Sequence, residues 1–266
     1  MSSLVRAVLL ERLSASSMLA IGSGGIAVVS REGSMGCSLE VDMSHSFSLE
    51  SDPARLDAIQ FLQRAARVND GSARLIADGT YLQVYVGVLF PRGLLDRTPT
   101  VLGLRVFRLA ESIEFDVVVP IESLVHRLSV AAEQGESANR VPAEVASLQW
   151  AAITPPQDGW RRRLGVSAEA LRAAAASGVA KVADTVPDTI GESVLQKVRA
   201  EVWGSMIPDH KRIPAGAAFA ADALGFLAEN SLQVHTLENW ARLSSKAGYV
   251  LVKFPGGQSF GDDDEG

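Results

Sequence analysis

A chain of 266 residues with 47% hydrophobic and 21% charged residues carries enough apolar side chain to bury a sizeable core, which excludes wholesale disorder. Its net charge of -6 argues against nucleic acid as a general partner, because affinity for a phosphate backbone needs clustered Lys and Arg. One cysteine, Cys37, excludes an intrachain disulfide or a multi-cysteine zinc site and points to a reducing compartment, hence the cytoplasm.

In chain order, Leu4, Val5, Val8, Leu9 and Leu13 recur at helical spacing and predict a short amphipathic helix over 3–14. Glu11 and Arg12 interrupt that apolar run, so it does not read as a signal-peptide core, and no stretch approaches a membrane span. Ile26 to Arg31 and Cys37 to Glu50 read as two strands of a hairpin. Ser51-Asp52-Pro53 then opens a helix with Leu56, Ile59, Leu62 and Ala66 expected on its buried face. Residues 73–77 and 80–90 are β-rich and flank Asp78-Gly79, the expected centre of a type I′ turn. Residues 100–109 and 113–119 predict a further antiparallel pair. Ile121, Leu124, Val125, Leu128 and Ala132 mark a second helix, ended by Gly135.

Residues 136–163, with Pro142, Pro155, Pro156 and Gly159, show no sustained period and are the expected linker. Three helical segments follow: one capped by Ser167, one with Thr189 and Glu192 in capping-box spacing, and an alanine-rich one over 214–227. Strands at 232–237, 240–244 and 249–254 then predict a β-meander. The fold class is therefore α+β: an antiparallel sheet domain with packed helices over 1–135, a linker over 136–163, and a helical segment ending in a small meander over 164–255. Residues 256–266, with Asp262, Asp263, Asp264 and Glu265, read as a disordered acidic tail. The stretches RLIADGTYLQVYVGVLFP (74–91) and RLSSKAGYVLVKFP (242–255) look alike, but any helix followed by a hairpin tends towards that pattern, and coincidence is the preferred reading.

IQFLQRAARVNDGSARLIADGTYLQVYVGVLF, residues 59–90, has an asparagine near a helix end, a short strand, an Asp-Gly turn and a long strand. It resembles the helix-to-hairpin core of bacterial YbjN-type proteins, a group similar in fold to the type III secretion chaperones. The resemblance covers roughly the N-terminal half in element order. It implies protein-binding or chaperone-like work, and it carries no catalytic residue over to any position here.

Candidate chemistry is sparse. Asp42, Ser44 and His45 lie within four positions, but alternation along a strand puts His45 on one face and the other two on the opposite face, so they cannot form a nucleophile-base-orienter chain. His45 shares the apolar face of Cys37, Met43 and Phe47 and reads as structural unless it works with distant partners, the hydrolase alternative. His126, His210 and His235 lack metal-ligand spacing, so no metal and no cofactor is expected. Gly-rich SGGIA (23–27) precedes a strand instead of opening a helix, which fails the test for a phosphate loop. Trp160-Arg161-Arg162-Arg163 is the densest basic cluster and the candidate binding site; the alternative is a solvated linker end. The N-terminal 150 residues hold 13 Arg and no Lys, whereas all five lysines lie between 160 and 255. With three helices before a meander, that segment suggests a winged-helix DNA binder over 160–256 as the first alternative. The leading expectation is a non-enzymatic cytoplasmic protein that works through a protein partner or self-association, chaperone-like or adaptor in kind, with no membrane involvement.

Overall fold

The computed structural model describes residues 45–68, 71–93, 96–145, 148–185, 192–208 and 210–256. The helix expected over 3–14, the strand at 26–31, SGGIA, Cys37, Asp42, Ser44, Thr189 and the acidic tail lie outside the described residues. The described residues belong to one compact unit.

The N-terminal half begins with strand β1 (Ser46–Ser48) and helix α1 (Asp52–Ala65). Ser51 caps α1, its hydroxyl accepting from the Ala54 amide at 3.4 Å, with Pro53 in the first turn. The buried stripe is Arg55, Ala58, Phe61, Leu62 and Ala65, whereas Leu56 is 62% exposed. The expected face was thus rotated by about one position, because Arg55 lies inward and donates to the Ser137 carbonyl. Strands β2 (Ser72–Asp78), β3 (Tyr81–Leu89), β4 (Thr100–Arg108) and β5 (Phe115–Pro120) follow, then helix α2 (Ile121–Gln134), ended by Gly135 in the left-handed region at φ 68. Asp78 pairs with Tyr81, so the β2–β3 turn centres on Gly79-Thr80. Gly79 has φ 60 and Thr80 has no positive φ, which rules out the expected type I′ geometry, since that needs positive φ at both centres.

The C-terminal half contains β7 (Arg161–Ser167), α3 (Ala168–Thr185), α4 (Glu192–Gly204), the short pair β8 (Met206–Ile207) and β9 (His210–Pro214), α5 (Ala215–Ala223), and then β10 (Ser231–Leu237), β11 (Trp240–Ser245) and β12 (Gly248–Lys253). Ser167 caps α3 as expected, accepting from the Ala170 amide at 3.1 Å.

The fold is α+β, and the expected meander is present. What the local pattern did not reveal is that both halves share one antiparallel sheet in the order β5-β2-β3-β4-β12-β11-β10-β7. The seam is β4 against β12, with Leu104 opposite Tyr249 and Leu102 opposite Leu251. About this seam the order is symmetric: a helix and three successive strands on one side (α1, β2, β3, β4) match a helix and three strands on the other (α5, β10, β11, β12). The two look-alike stretches are β2–β3 and β11–β12, which do not occupy equivalent places in that symmetry, so their likeness is not the repeat. The same topology removes the winged-helix alternative, because β10 and β12 are both paired inside the sheet and leave no free wing.

Helices cover one face. Phe61 of α1 stacks on Phe226 at 5.9 Å, and the Arg64 guanidinium donates to the Leu224 carbonyl, so the helices of the two halves meet over the seam. Gly103 of β4 lies beneath them; a side chain there would collide with Leu224. The opposite face is partly covered by the expected linker. After β6 (Ala138–Arg140), which pairs with β1, residues 141–145 and 148–160 lie across the sheet as a strap. Trp150, 1% exposed, sits on Gly87, where a Cβ would fall 2.7 Å from the indole. Tyr85, Leu102, Ala151, Trp240 and Leu251 complete this second core. Arg74 fastens the strap: it donates to the Ala151 carbonyl at 2.6 Å while forming two bonds to Asp116 at 2.7 and 2.5 Å.

Candidate functional site

Strand alternation splits the basic triplet. Arg161 lies opposite Thr236, Arg162 opposite His235 and Arg163 opposite Val234. Arg163 therefore points to the helix side, where its Nε donates to the Thr236 hydroxyl at 3.0 Å, and Arg162 points to the strap side, where its Nε donates to Gln233 Oε1 at 2.9 Å. A bulge follows, with Leu164 and Gly165 together facing Gln233; Leu164 is 90% exposed. β7 is the last strand of the sheet, with one strand neighbour among the described residues.

On the strap side, cross-strand register continues the row from Arg162 through His235 to Arg242 and then Leu251. The next row is Gln233, Ser244 and Tyr249. Trp160 is held by its Nε1, which donates to the Pro156 carbonyl at 3.0 Å, and its ring lies 4.6 Å from the Arg242 guanidinium, with Tyr249 at 5.9 Å on another side. No carboxylate pairs with Arg162 or Arg242 among the described residues. The contrast with Arg74 on the same face of the other half is direct. Hydrogen bonding to Asp116 holds the Arg74 pKa above its ordinary value, whereas burial pulls that of Arg242 below it, opposed in part by Tyr249. His235 is pulled down as well, first by burial and then by the charges of Arg242 and Arg162, which favours the uncharged imidazole.

Three buried polar atoms in these two rows have no hydrogen-bond partner: His235 Nδ1, Arg242 Nε and Ser244 Oγ. Beside them is a shallow cleft of about 490 Å³, lined by Gln233, Ser244 and Tyr249 together with Ser231, Asn230 and Lys246. Its one carboxylate, Glu229, is occupied by Lys246, through the amide at 2.9 Å and the ammonium at 3.5 Å.

Of the residues singled out in the sequence, the fold thus brings Trp160 and Arg162 together with His235 and Arg242, and sends Arg163 elsewhere. His45 is in neither row. Its ring, half-buried, stacks on Phe115 at 5.2 Å, and its backbone carbonyl accepts from the Val141 amide. No carboxylate bonds to its ring among the described residues, which leaves the hydrolase alternative without an orienting group. Among the described residues no cluster of His, Cys, Asp and Glu could hold a metal ion. No described helix is long and apolar enough to cross a membrane.

Two family models match. Residues 43–152 match a domain of unknown function, DUF8010, and residues 155–257 match another, DUF8185. Their boundary falls in the strap between Trp150 and Trp160. No curated protein matches. Solved structures similar to this chain include the DNA polymerase III beta chain of Streptococcus pneumoniae (10% identity, TM-score 0.46, covering 84% of this chain and 67% of that one). The DNA polymerase sliding clamp of Caulobacter crescentus is similar at 12% identity and TM-score 0.44, covering 82% and 67%. A third is a DNA polymerase III beta subunit from Eubacterium rectale, at 11% identity and TM-score 0.42, covering 87% and 67%. The chain spans about two thirds of the length of these three proteins.

Proposed function

We propose that the protein is a non-enzymatic interaction protein of the adaptor or chaperone-like kind, acting in the cytoplasm, that holds a partner protein along the β7 edge of its sheet. The observation that carries this reading is the edge itself: among the described residues β7 ends the sheet, and at its bulge Leu164 stands 90% exposed beside three successive arginines. An unpaired edge offers backbone N–H and C=O groups to an extended segment, and its side chains select which segment is accepted. Like charge sets two copies of this edge against each other, so an acidic partner segment is favoured over a second copy.

Affinity capture from the native host tests the reading with two baits, the wild-type chain and Leu164→Asp. A substitution at so exposed a position leaves stability within about 0.5 kcal/mol. The wild type is expected to retain a stoichiometric protein that the variant loses. No stoichiometric protein on the wild type, or equal recovery on both baits, contradicts the proposal.

A further inference from the structure

We infer that the strap side of β7, β10, β11 and β12 is a binding site for a small polyhydroxylated oxyanion, of the sugar-phosphate or sugar-acid class, seated between Arg162, Arg242 and Ser244. This site goes beyond the partner-binding edge and does not depend on it.

Charge is the first support. Arg162 and Arg242 face the same side one strand apart from His235, with no carboxylate against either, although the equivalent face of the N-terminal half gives Arg74 a bidentate partner. A half-buried guanidinium held by two aromatic rings keeps its position but not its charge compensation, and an oxyanion supplies that compensation with charge-assisted hydrogen bonds. Unpaired polarity is the second support. His235 Nδ1, Arg242 Nε and Ser244 Oγ are each taken out of water with no hydrogen bond in exchange. All three lie in two adjacent cross-strand rows, and rotation of the serine hydroxyl and the arginine side chain turns them towards an arriving ligand. Room is the third. The cleft of about 490 Å³ shares Gln233, Ser244 and Tyr249 with this cluster and continues over Ser231, Asn230 and Ser245. The lining combines these hydroxyls and amides with Tyr249 and the paired Glu229 and Lys246, and it suits a ligand body made of hydroxyl groups, whereas most small-molecule pockets of this size are apolar. The anion end belongs at the arginines and the polyol end at the serines.

The test is calorimetry on the full chain with glucose 6-phosphate, gluconate, glucose and inorganic phosphate as probes, alongside imidazole NMR signals of His235. Saturable binding of glucose 6-phosphate or gluconate is expected, with a shift of the His235 signals, and which of the two binds separates phosphate from carboxylate. Glucose, which has no anion, is expected not to bind. The exposed Arg162→Gln change and Ser244→Ala are each expected to weaken binding at least tenfold while leaving the melting temperature near that of the wild type. If no probe saturates at concentrations on the order of 10 mM, or if both variants bind as the wild type does, the site is overturned. If inorganic phosphate alone binds, and as well to the variants, the arginines attract anions non-specifically and the inference also fails.

Discussion

At the scale of single residues, the fold places strain and charge at a few identifiable atoms. Gly87 lies under Trp150 with no space for a side chain, so Gly87→Ala is expected to destabilise by about 1–3 kcal/mol in denaturant unfolding. Trp150→Ala is expected to cost about 3–5 kcal/mol, and the double variant less than the sum, because removing the indole relieves the clash. Additive losses would show that Trp150 does not rest on Gly87. His235 offers a check by pH. Burial and the cations facing it, Arg162 from β7 and Arg242 from β11, lower its pKa below the ordinary 6.5. A group whose folded pKa is depressed favours its neutral form in the fold, so its contribution is intact above the unfolded value and is lost as pH falls below it. NMR titration is expected to give a midpoint under 6.5, and Arg162→Gln is expected to raise it. A midpoint at or above 6.5 in the wild type would contradict the placement of both arginines.

At the scale of elements, the local pattern revealed what depends on near neighbours. The caps at Ser51 and Ser167, the stop at Gly135 and the strands of the meander follow from short-range chemistry and are present. Leu56 faces solvent because an arginine takes the inward position: Arg55, long enough to reach the Ser137 carbonyl, is buried where a purely apolar pattern expects a hydrocarbon. Residues 141–145 and 148–160 adopt no regular element and so show no period, yet Trp150 is among the most buried of the described side chains. The signal available was the pair of tryptophans flanking the prolines. In the candidate site Trp160 and Arg162 were legible as a run, whereas His235 and Arg242 were not, since register between β7, β10 and β11 is a long-range property. The strap has its own test: Arg74→Ala removes the bond to the Ala151 carbonyl, so amides of residues 148–153 are expected to exchange faster with solvent while those of β3 and β4 keep their protection. Unchanged exchange in the strap would show that Arg74 does not anchor it.

At the scale of the whole molecule, two halves with different family matches are joined by one sheet. Arg105 of β4 reaches both Asp57 of α1 and the Ala247 carbonyl in the β11–β12 turn, so a single side chain bonds across the seam. Hydrogen bonds to a charged group are worth about 1.5–3 kcal/mol, and Arg105→Ala is expected to lower stability by that order while unfolding remains a single transition. Two separate transitions in the wild type would contradict a shared core. A sheet closed at its middle in this way has its open groups at its ends. Among the described residues the β5 end is met by the strap, whose Val145 amide donates to Val118, whereas β7 keeps its outer side free of any strand neighbour. This asymmetry is why the partner-binding role is assigned to β7 and not to β5.

The most direct test of that assignment is a photo-reactive amino acid placed at position 164 in cells of the native host, with position 56 on α1, also strongly exposed, as the control. The account predicts a crosslink from 164 to an extended acidic segment of one partner protein, and none from 56. No product from 164, or the same products from both positions, would contradict it.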